Sequence, residues 1–337
     1  MNVLRLHGLK DLRLHREPLP TPGAGEVLLR MTSVGVCGSD LHWFSELGIG
    51  DAGLTHPLVL GHEFAGVVES PGSALHGARV AAEPAISCQR CDFCREGNAH
   101  FCTALRFAGH SQQDGALQEF LAWPERALFR LPDTLSDEDG ALLEPLGVAL
   151  HALNLGKVRP GMPVGVFGAG PIGLLLIQLV RLAGASPIYA TDRLDHRLEA
   201  AKEAGASMVF LAGYGEESAA ILSETHGQGV PVAFEAAGED AAVEAAITAA
   251  RAGGRVVLVG IPSEDSTTFT ASTARRKGLT LLLSRRMKFT YPRAIQLVER
   301  GLVNLGSLVT HRFPLDQGKQ AFEVASRREG LKVMVSF

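Results

Sequence analysis

The sequence predicts an α/β protein whose second half is a doubly wound parallel sheet. Two observations carry this. From residue 163 onward, short apolar runs alternate with longer amphipathic ones, the rhythm of buried strands and covering helices. The first of those runs is followed by Gly168, Gly170 and Gly173 in the pattern G-x-G-x-x-G, which opens an apolar helical stretch. A third observation sets the first half apart: four of the five cysteines of the chain fall between Cys88 and Cys102.

Taken in order, PVGVF at 163–167 reads as the first strand. The three glycines permit a tight turn, the approach of a pyrophosphate and close packing of helix on strand. Pro171 and Ile172 open the helix, whose N-terminus faces the phosphates. The next strand, PIYATD, ends in Asp192, 22 residues after Gly170. An acid there hydrogen-bonds the hydroxyls of an adenosine ribose and repels a 2′-phosphate, so the expected cofactor is NAD. Arg193, next in the chain, is the neighbour that could accept a phosphate instead. SMVFLA, VPVAFEAAG, RVVLVG and LTLLLS follow as strands, with EESAAILSETHG and EDAAVEAAITAARAGG as helices; HGQGVPV and RAGGRV supply turns.

Length and composition bound the class. The chain has 337 residues, room for two ordinary domains, with 46% hydrophobic and 20% charged residues. A net charge of -4 without a basic stripe speaks against nucleic acid as a partner. The longest apolar run, IGLLLIQLV, is too short to span a bilayer, which takes ~20 residues. The opening residues lack the apolar core of a signal peptide, and an odd cysteine count fits poorly with a disulfide scaffold. A cytoplasmic protein with no membrane partner is expected.

Cys88, Cys91, Cys94 and Cys102 have the spacing C-x2-C-x2-C-x7-C. Two-residue gaps turn consecutive thiolates toward one point, and the longer return brings the fourth from the other side. That makes a closed tetrahedral cage for a structural zinc, with no position open for chemistry. An iron–sulfur cluster could use similar spacing. Cys37 alone would read as a small core residue. Its company changes that: His62 and Glu63 follow in LGHEFAG, and Glu144 sits in the otherwise apolar LLEPLGVALHAL. A carboxylate in such a run is costly unless it is paired or bound to a metal. One Cys, one His and one or two Glu make a three-ligand catalytic zinc site with room for water or substrate.

These residues resemble a family. CGSDLHWF, GHEFAG, the four-cysteine lobe, DGALQEFL, LEPLGVALHAL, GAGPIG and VTHRFPLDQGKQAFE occur in order over nearly the whole chain. The chain resembles the zinc-dependent medium-chain alcohol dehydrogenases, and within them the sorbitol (polyol) dehydrogenase branch. The resemblance implies a GroES-like β-rich catalytic domain over residues 1–150, with its structural-zinc lobe at 87–103. It implies a Rossmann NAD-binding domain over 151–286 and a return of 287–337 to the catalytic domain. Cys37 and His62 match catalytic-zinc ligands, Glu63 an acid that ligates or orients the metal, and Glu144 an acid that ligates it or holds a water. The absence of a further cysteine near Glu144 is what points to the polyol branch. Ser39 and His42 match a proton relay. Arg286 matches an arginine that contacts substrate or water, with Arg285 as the alternative.

Two departures stand out. The stretch after GHEFAG is short and has Ala78 where the family carries an acid, which implies a trimmed surface turn. Trp43 stands where polyol enzymes often carry Tyr. The expected enzyme moves a hydride between a secondary hydroxyl of a polyol or sugar-like substrate and NAD, with two zincs per chain, one catalytic and one structural. The expected assembly is a homo-oligomer, tetramer or dimer. Alternatives are a threonine, butanediol or sugar dehydrogenase on the same scaffold, a zinc-free quinone reductase, or a non-catalytic dinucleotide-binding module. His56, His100, His110, His151 and His311 read as structural or surface residues.

Overall fold

The computed structural model describes residues 1–213 and 215–337. The chain divides into two compact units, Met1–Glu144 with Tyr291–Phe337, and Pro145–Thr290.

The first unit is β-rich. Its main sheet runs in the order Leu128–Arg130, Arg79–Ala82, Glu63–Val68, Glu26–Gly35, Lys332–Ser336, Val309–Pro314, with Phe120–Pro124 also paired to Glu26–Gly35. The central strand Glu26–Gly35 alternates buried and more exposed positions from Glu26 to Thr32, and it organises the unit by pairing with three others. Two registers matter. Gly35 lies opposite both Glu63 and Met334, so the ends of two strands meet the middle of a third where the chain leaves the sheet toward Cys37. A continuous core that includes Trp43, Phe44, Phe64, Trp123 and Phe322 fills this unit. Ala78 is buried in that core, and residues 69–78 form the short surface turn expected there.

Two helices carry chemistry. Gly38–Glu46 starts at Cys37, with Asp40 accepting the Cys37 N–H at 3.0 Å as an N-terminal cap. Asp137–Gly156 is capped reciprocally: the Ser136 N–H donates to Asp139 Oδ2 at 2.9 Å, and the Asp139 N–H donates to Ser136 Oγ at 3.0 Å. The second helix holds Glu144 in its apolar stretch.

The second unit is the doubly wound sheet. Six strands lie all parallel in the order Met208–Leu211, Ile188–Asp192, Val164–Phe167, Val230–Glu235, Ala250–Leu258, Thr280–Leu283. Val164–Phe167 and Val230–Glu235 are buried along their whole length, as strands covered on both faces must be. The observed elements differ from the sequence reading in two ways. The fifth strand begins at Ala250, earlier than RVVLVG suggests, because Ala250 pairs with Val230 ahead of an irregularity in register. Helices Asp195–Ala204 and Ala271–Lys277 were not legible: the first buries only Leu198 and Ala201, the second only Ala274, too few apolar positions for a periodic signal.

Candidate active site

The ligand atoms of Cys37, His62 and Glu63 all lie within 4.8 Å of one another. The fold explains the meeting. Cys37 ends the chain leaving Gly35, Glu63 opens the strand paired to it, and His62 precedes Glu63. Asp40 then fixes the imidazole. Its Oδ1 lies 3.3 Å from His62 Nδ1 and accepts the Gly61 N–H at 3.2 Å, while its Oδ2 caps the helix. Engaging Nδ1 with a carboxylate leaves Nε2 as the ligand atom, the arrangement usual for metal-bound histidine. Ser39 Oγ lies 3.4 Å from that Nε2.

Glu63 is fully buried and paired. Lys332, also buried, donates from Nζ to both carboxylate oxygens, at 2.8 and 2.7 Å, and to the Val36 carbonyl at 3.1 Å. Glu144 lies outside the three-residue cluster. Burial, partly offset by His62 and reinforced by Glu63, pushes its carboxyl up to about 7. Burial also disfavours the His62 cation, yet Asp40 and Cys37 outweigh it and hold the imidazole well above its ordinary range. The reason is a local excess of acid: Asp40 and Cys37 act on His62, while Glu63, Glu144 and Cys37 act on Lys332. A thiol, an imidazole and a carboxylate in such a negative pocket fit a divalent zinc.

The four-cysteine lobe is a second centre. Cys88, Cys91, Cys94 and Cys102 are free thiols with sulfurs mutually within 4.8 Å. Cys91 and Cys94 sulfurs are 3.4 Å apart and those of Cys88 and Cys94 are 4.0 Å apart. A tetrahedron with metal–sulfur bonds of about 2.3 Å has edges of about 3.8 Å, so the set already has the size of a zinc cage. Backbone N–H groups of Arg90 and Cys91 lower the Cys88 thiol to about 6, which favours the thiolate a metal needs.

In the second unit the Gly-rich turn joins Val164–Phe167 to the helix Pro171–Leu182. Gly168 has φ +98°, and a Cβ there would sit 2.7 Å from the Ala237 backbone nitrogen. A Cβ on Gly173 would collide with the Gly168 carbonyl. Gly170 is the helix cap, with Pro171 and Ile172 in the first turn. Asp192, buried at the end of the next strand, accepts the Ala169 N–H at 2.8 Å and the Leu194 N–H at 3.0 Å. The sequence-predicted turn and acid are therefore in contact. This cradle fits a dinucleotide: an open backbone at a helix N-terminus, with a fixed carboxylate beside it.

The remaining candidates are placed as follows. His42 is half-buried, with Nδ1 2.9 Å from Glu46 Oε2 one turn along its helix. Arg286 is half-buried with φ 54°, and Arg285 is exposed. Both belong to the second compact unit, whereas the cysteine, histidine and carboxylate cluster belongs to the first. Trp43 is buried, its ring edge-on to His110 at 5.4 Å, and Phe107 stands 5.1 Å from His62. Sequence reading missed Asp40, Lys332 and Phe107. Asp40 had a signal, an acid three residues into a helix that starts at Cys37. Lys332 had one too, a lone cation in the apolar strand KVMVS.

Known proteins share this design. The family profile described as alcohol dehydrogenase GroES-like domain matches residues 23–133, and that described as zinc-binding dehydrogenase matches residues 171–300. Sorbitol dehydrogenase from Homo sapiens is 39% identical over 343 residues, covering 98% of this chain and 94% of that protein. An alcohol dehydrogenase from E. coli CFT073, solved with NADH, superposes with a TM-score of 0.91 at 29% identity, covering 100% of this chain and 99% of that one. A zinc-binding dehydrogenase from Sinorhizobium meliloti 1021, solved with NADP, superposes with a TM-score of 0.89 at 30% identity, with the same coverage.

Proposed function

The chain belongs to the zinc-dependent medium-chain dehydrogenase family, and on that premise we propose that it oxidises a secondary hydroxyl of a polyol or sugar-like substrate with NAD. One observation carries the polyol assignment. With four cysteines gathered in the lobe, Cys37 is the one thiol left, and the groups clustered with it are His62 and the Glu63 carboxylate, which supports a site without the further cysteine of the alcohol dehydrogenase branch.

Cys37, His62 and either Glu63 or Glu144 would hold the catalytic zinc, and the lobe a second one. Bound zinc supplies Lewis-acid polarisation of the substrate hydroxyl, and bound NAD supplies the hydride acceptor. The chain's own groups handle protons and position. Ser39 is within reach of the atom His62 offers the metal, so it can accept the hydroxyl proton while giving up its own. His42, three residues on along the same helix face, can pass it to Glu46 and solvent. Glu144, with its carboxyl raised toward neutrality, is suited to exchange a proton with a water in the pocket. Glu63, clamped by Lys332, is better placed to orient the site than to leave its partner for the metal. Phe107, His110 and Trp43 would form the apolar wall of the substrate pocket.

A homo-oligomer is part of this reading. Leu283, 79% exposed, ends the outer strand of the six-stranded sheet, and Phe289, 83% exposed, follows six residues later. Free thiols in both centres support a reducing, cytoplasmic setting. Among the described residues no helix is long and apolar enough to cross a membrane.

The test is NADH formation over a panel of polyols, sugars, sugar acids, threonine and diols, repeated after chelation. Chelator-sensitive turnover of sorbitol, xylitol or a related polyol is the expected result. Turnover confined to threonine or a diol would move the substrate. Silence across the panel in a protein that still binds NADH and two zincs would overturn the enzymatic reading.

A further inference from the structure

The edge of the Gly-rich turn carries four charges that belong together. Asp192 is fixed by the Ala169 and Leu194 N–H groups. Arg197 places Nη1 3.8 Å from Asp192 Oδ2, and the same nitrogen lies 3.6 Å from where a Cβ on Gly170 would be. Arg193, next to Asp192 in the chain, is ion-paired with Glu239. Glu239 comes from another strand's end. Glu235, the last residue of Val230–Glu235, accepts the N–H groups of Ala237 and Gly238, both at 2.7 Å, and so folds the turn that delivers Glu239. That turn packs on the Gly-rich loop, since any side chain at Gly168 would meet Ala236 and Ala237.

Two carboxylates thus face two guanidinium groups, and these four charges cancel. An adenosine ribose that offers a 2′-hydroxyl adds no charge here. A 2′-phosphate would add close to two negative charges and would need a cation free to meet it. Arg193 is the nearest candidate by sequence, and Glu239 occupies it. We propose that Glu239 is a specificity-determining residue: by holding Arg193 it denies a 2′-phosphate its partner, and with Asp192 it sets the preference for NAD over NADP. This rests on the dinucleotide-binding reading above. It differs from the usual account, in which the acid at the strand end acts alone, because it adds a residue 47 positions farther along the chain.

The experiment uses the zinc-loaded full chain. Calorimetry measures binding of 2′,5′-ADP and 5′-AMP, and kcat/KM is measured with NADP and NAD. Glu239→Gln keeps shape and removes the charge. It is expected to raise the affinity for 2′,5′-ADP relative to 5′-AMP about five- to tenfold, as one like charge is removed and one cation released at a half-exposed site. The double variant Glu239→Gln with Arg193→Met is expected to return the ratio to the wild-type value, which identifies Arg193 as the released group. A ratio within twofold of wild type in Glu239→Gln, with 5′-AMP still bound, would overturn the inference. So would a gain that survives loss of Arg193. Failure of the wild-type protein to bind either nucleotide or NADH would instead overturn the dinucleotide reading on which it stands.

Discussion

Lys332→Met is the most informative perturbation of the first unit. Lys332 Nζ donates at 2.8 and 2.7 Å to the two oxygens of Glu63 and at 3.1 Å to the Val36 carbonyl, and both charged residues are buried. Met keeps the length of the stem and removes the charge. Glu63 is then left as a buried carboxylate without its counter-ion, and breaking a buried pair from one side costs about 3–5 kcal/mol. The protein carries its own probe for this. Its two tryptophans, Trp43 and Trp123, are both buried and both in the unit that holds Lys332. Tryptophan fluorescence in urea therefore follows the unfolding of that unit. With an m-value of about 2 kcal/mol per M, the midpoint of the zinc-loaded variant should fall by about 1.5–2.5 M. A second comparison guards against a mere packing defect. Replacing both partners, Glu63→Leu with Lys332→Met, removes the stranded charge and should be less damaging than Lys332→Met alone. A shift below about 0.5 M in the single variant would refute the reasoning, as would a double variant that loses the sum of both.

Four further outcomes are expected. Cys37→Ala should lower zinc from two to one per chain by elemental analysis and abolish turnover, while NADH binding by calorimetry stays unchanged. Cys91→Ser should also cost one zinc and lower the urea midpoint of the tryptophan signal, because a structural zinc contributes folding energy directly. Gly168→Ala should weaken NADH binding more than about tenfold, since φ +98° and the 2.7 Å approach to Ala237 leave no place for a Cβ. Glu144→Gln should lower kcat by about 10²–10³-fold with two zincs retained; loss of one zinc would make Glu144 the third ligand and not a proton-exchanging acid.

Much of this molecule was legible in its residues, and the rest was hidden for physical reasons. The parallel sheet could be read because strands such as VPVAFE are apolar on both faces and end in glycine-bearing turns. The helix Ala271–Lys277 could not, because only Ala274 is buried and every other position except Ala271 is polar. At the site, the thiol, the imidazole and the acids were visible by type. Their convergence was not, because it depends on register: Gly35 opposite Glu63 on one side and Met334 on the other is a fact of sheet pairing between residues 28 and 299 positions apart, the kind of non-local contact no local pattern encodes. Lys332 enters the site by that same pairing.

The charge balance at Cys37 and His62 connects these points. Asp40, Glu63 and Glu144 are buried beside the half-buried Cys37 thiol, and Lys332 forms its hydrogen-bonded ion pair with Glu63. A folded pocket does not ordinarily bury that much like charge without relief. Without a metal, the relief is taken by protons: the His62 imidazole is held well above its ordinary range, and the Glu144 carboxyl is pushed up to about 7. A dication would displace both protons, since it binds the neutral imidazole and the thiolate and lowers the cost of an ionised carboxylate nearby. Metal uptake should therefore release protons, and zinc affinity should rise with pH through the neutral range. In the four-cysteine lobe, backbone N–H groups lower the Cys88 thiol to about 6, while burial and the neighbouring thiols raise that of Cys94 to about 11. The two centres are thus built on opposite principles. One is a closed cage made by local sequence. The other is a cluster of acidic groups brought together by distant strands, with Ser39 Oγ 3.4 Å from His62 Nε2.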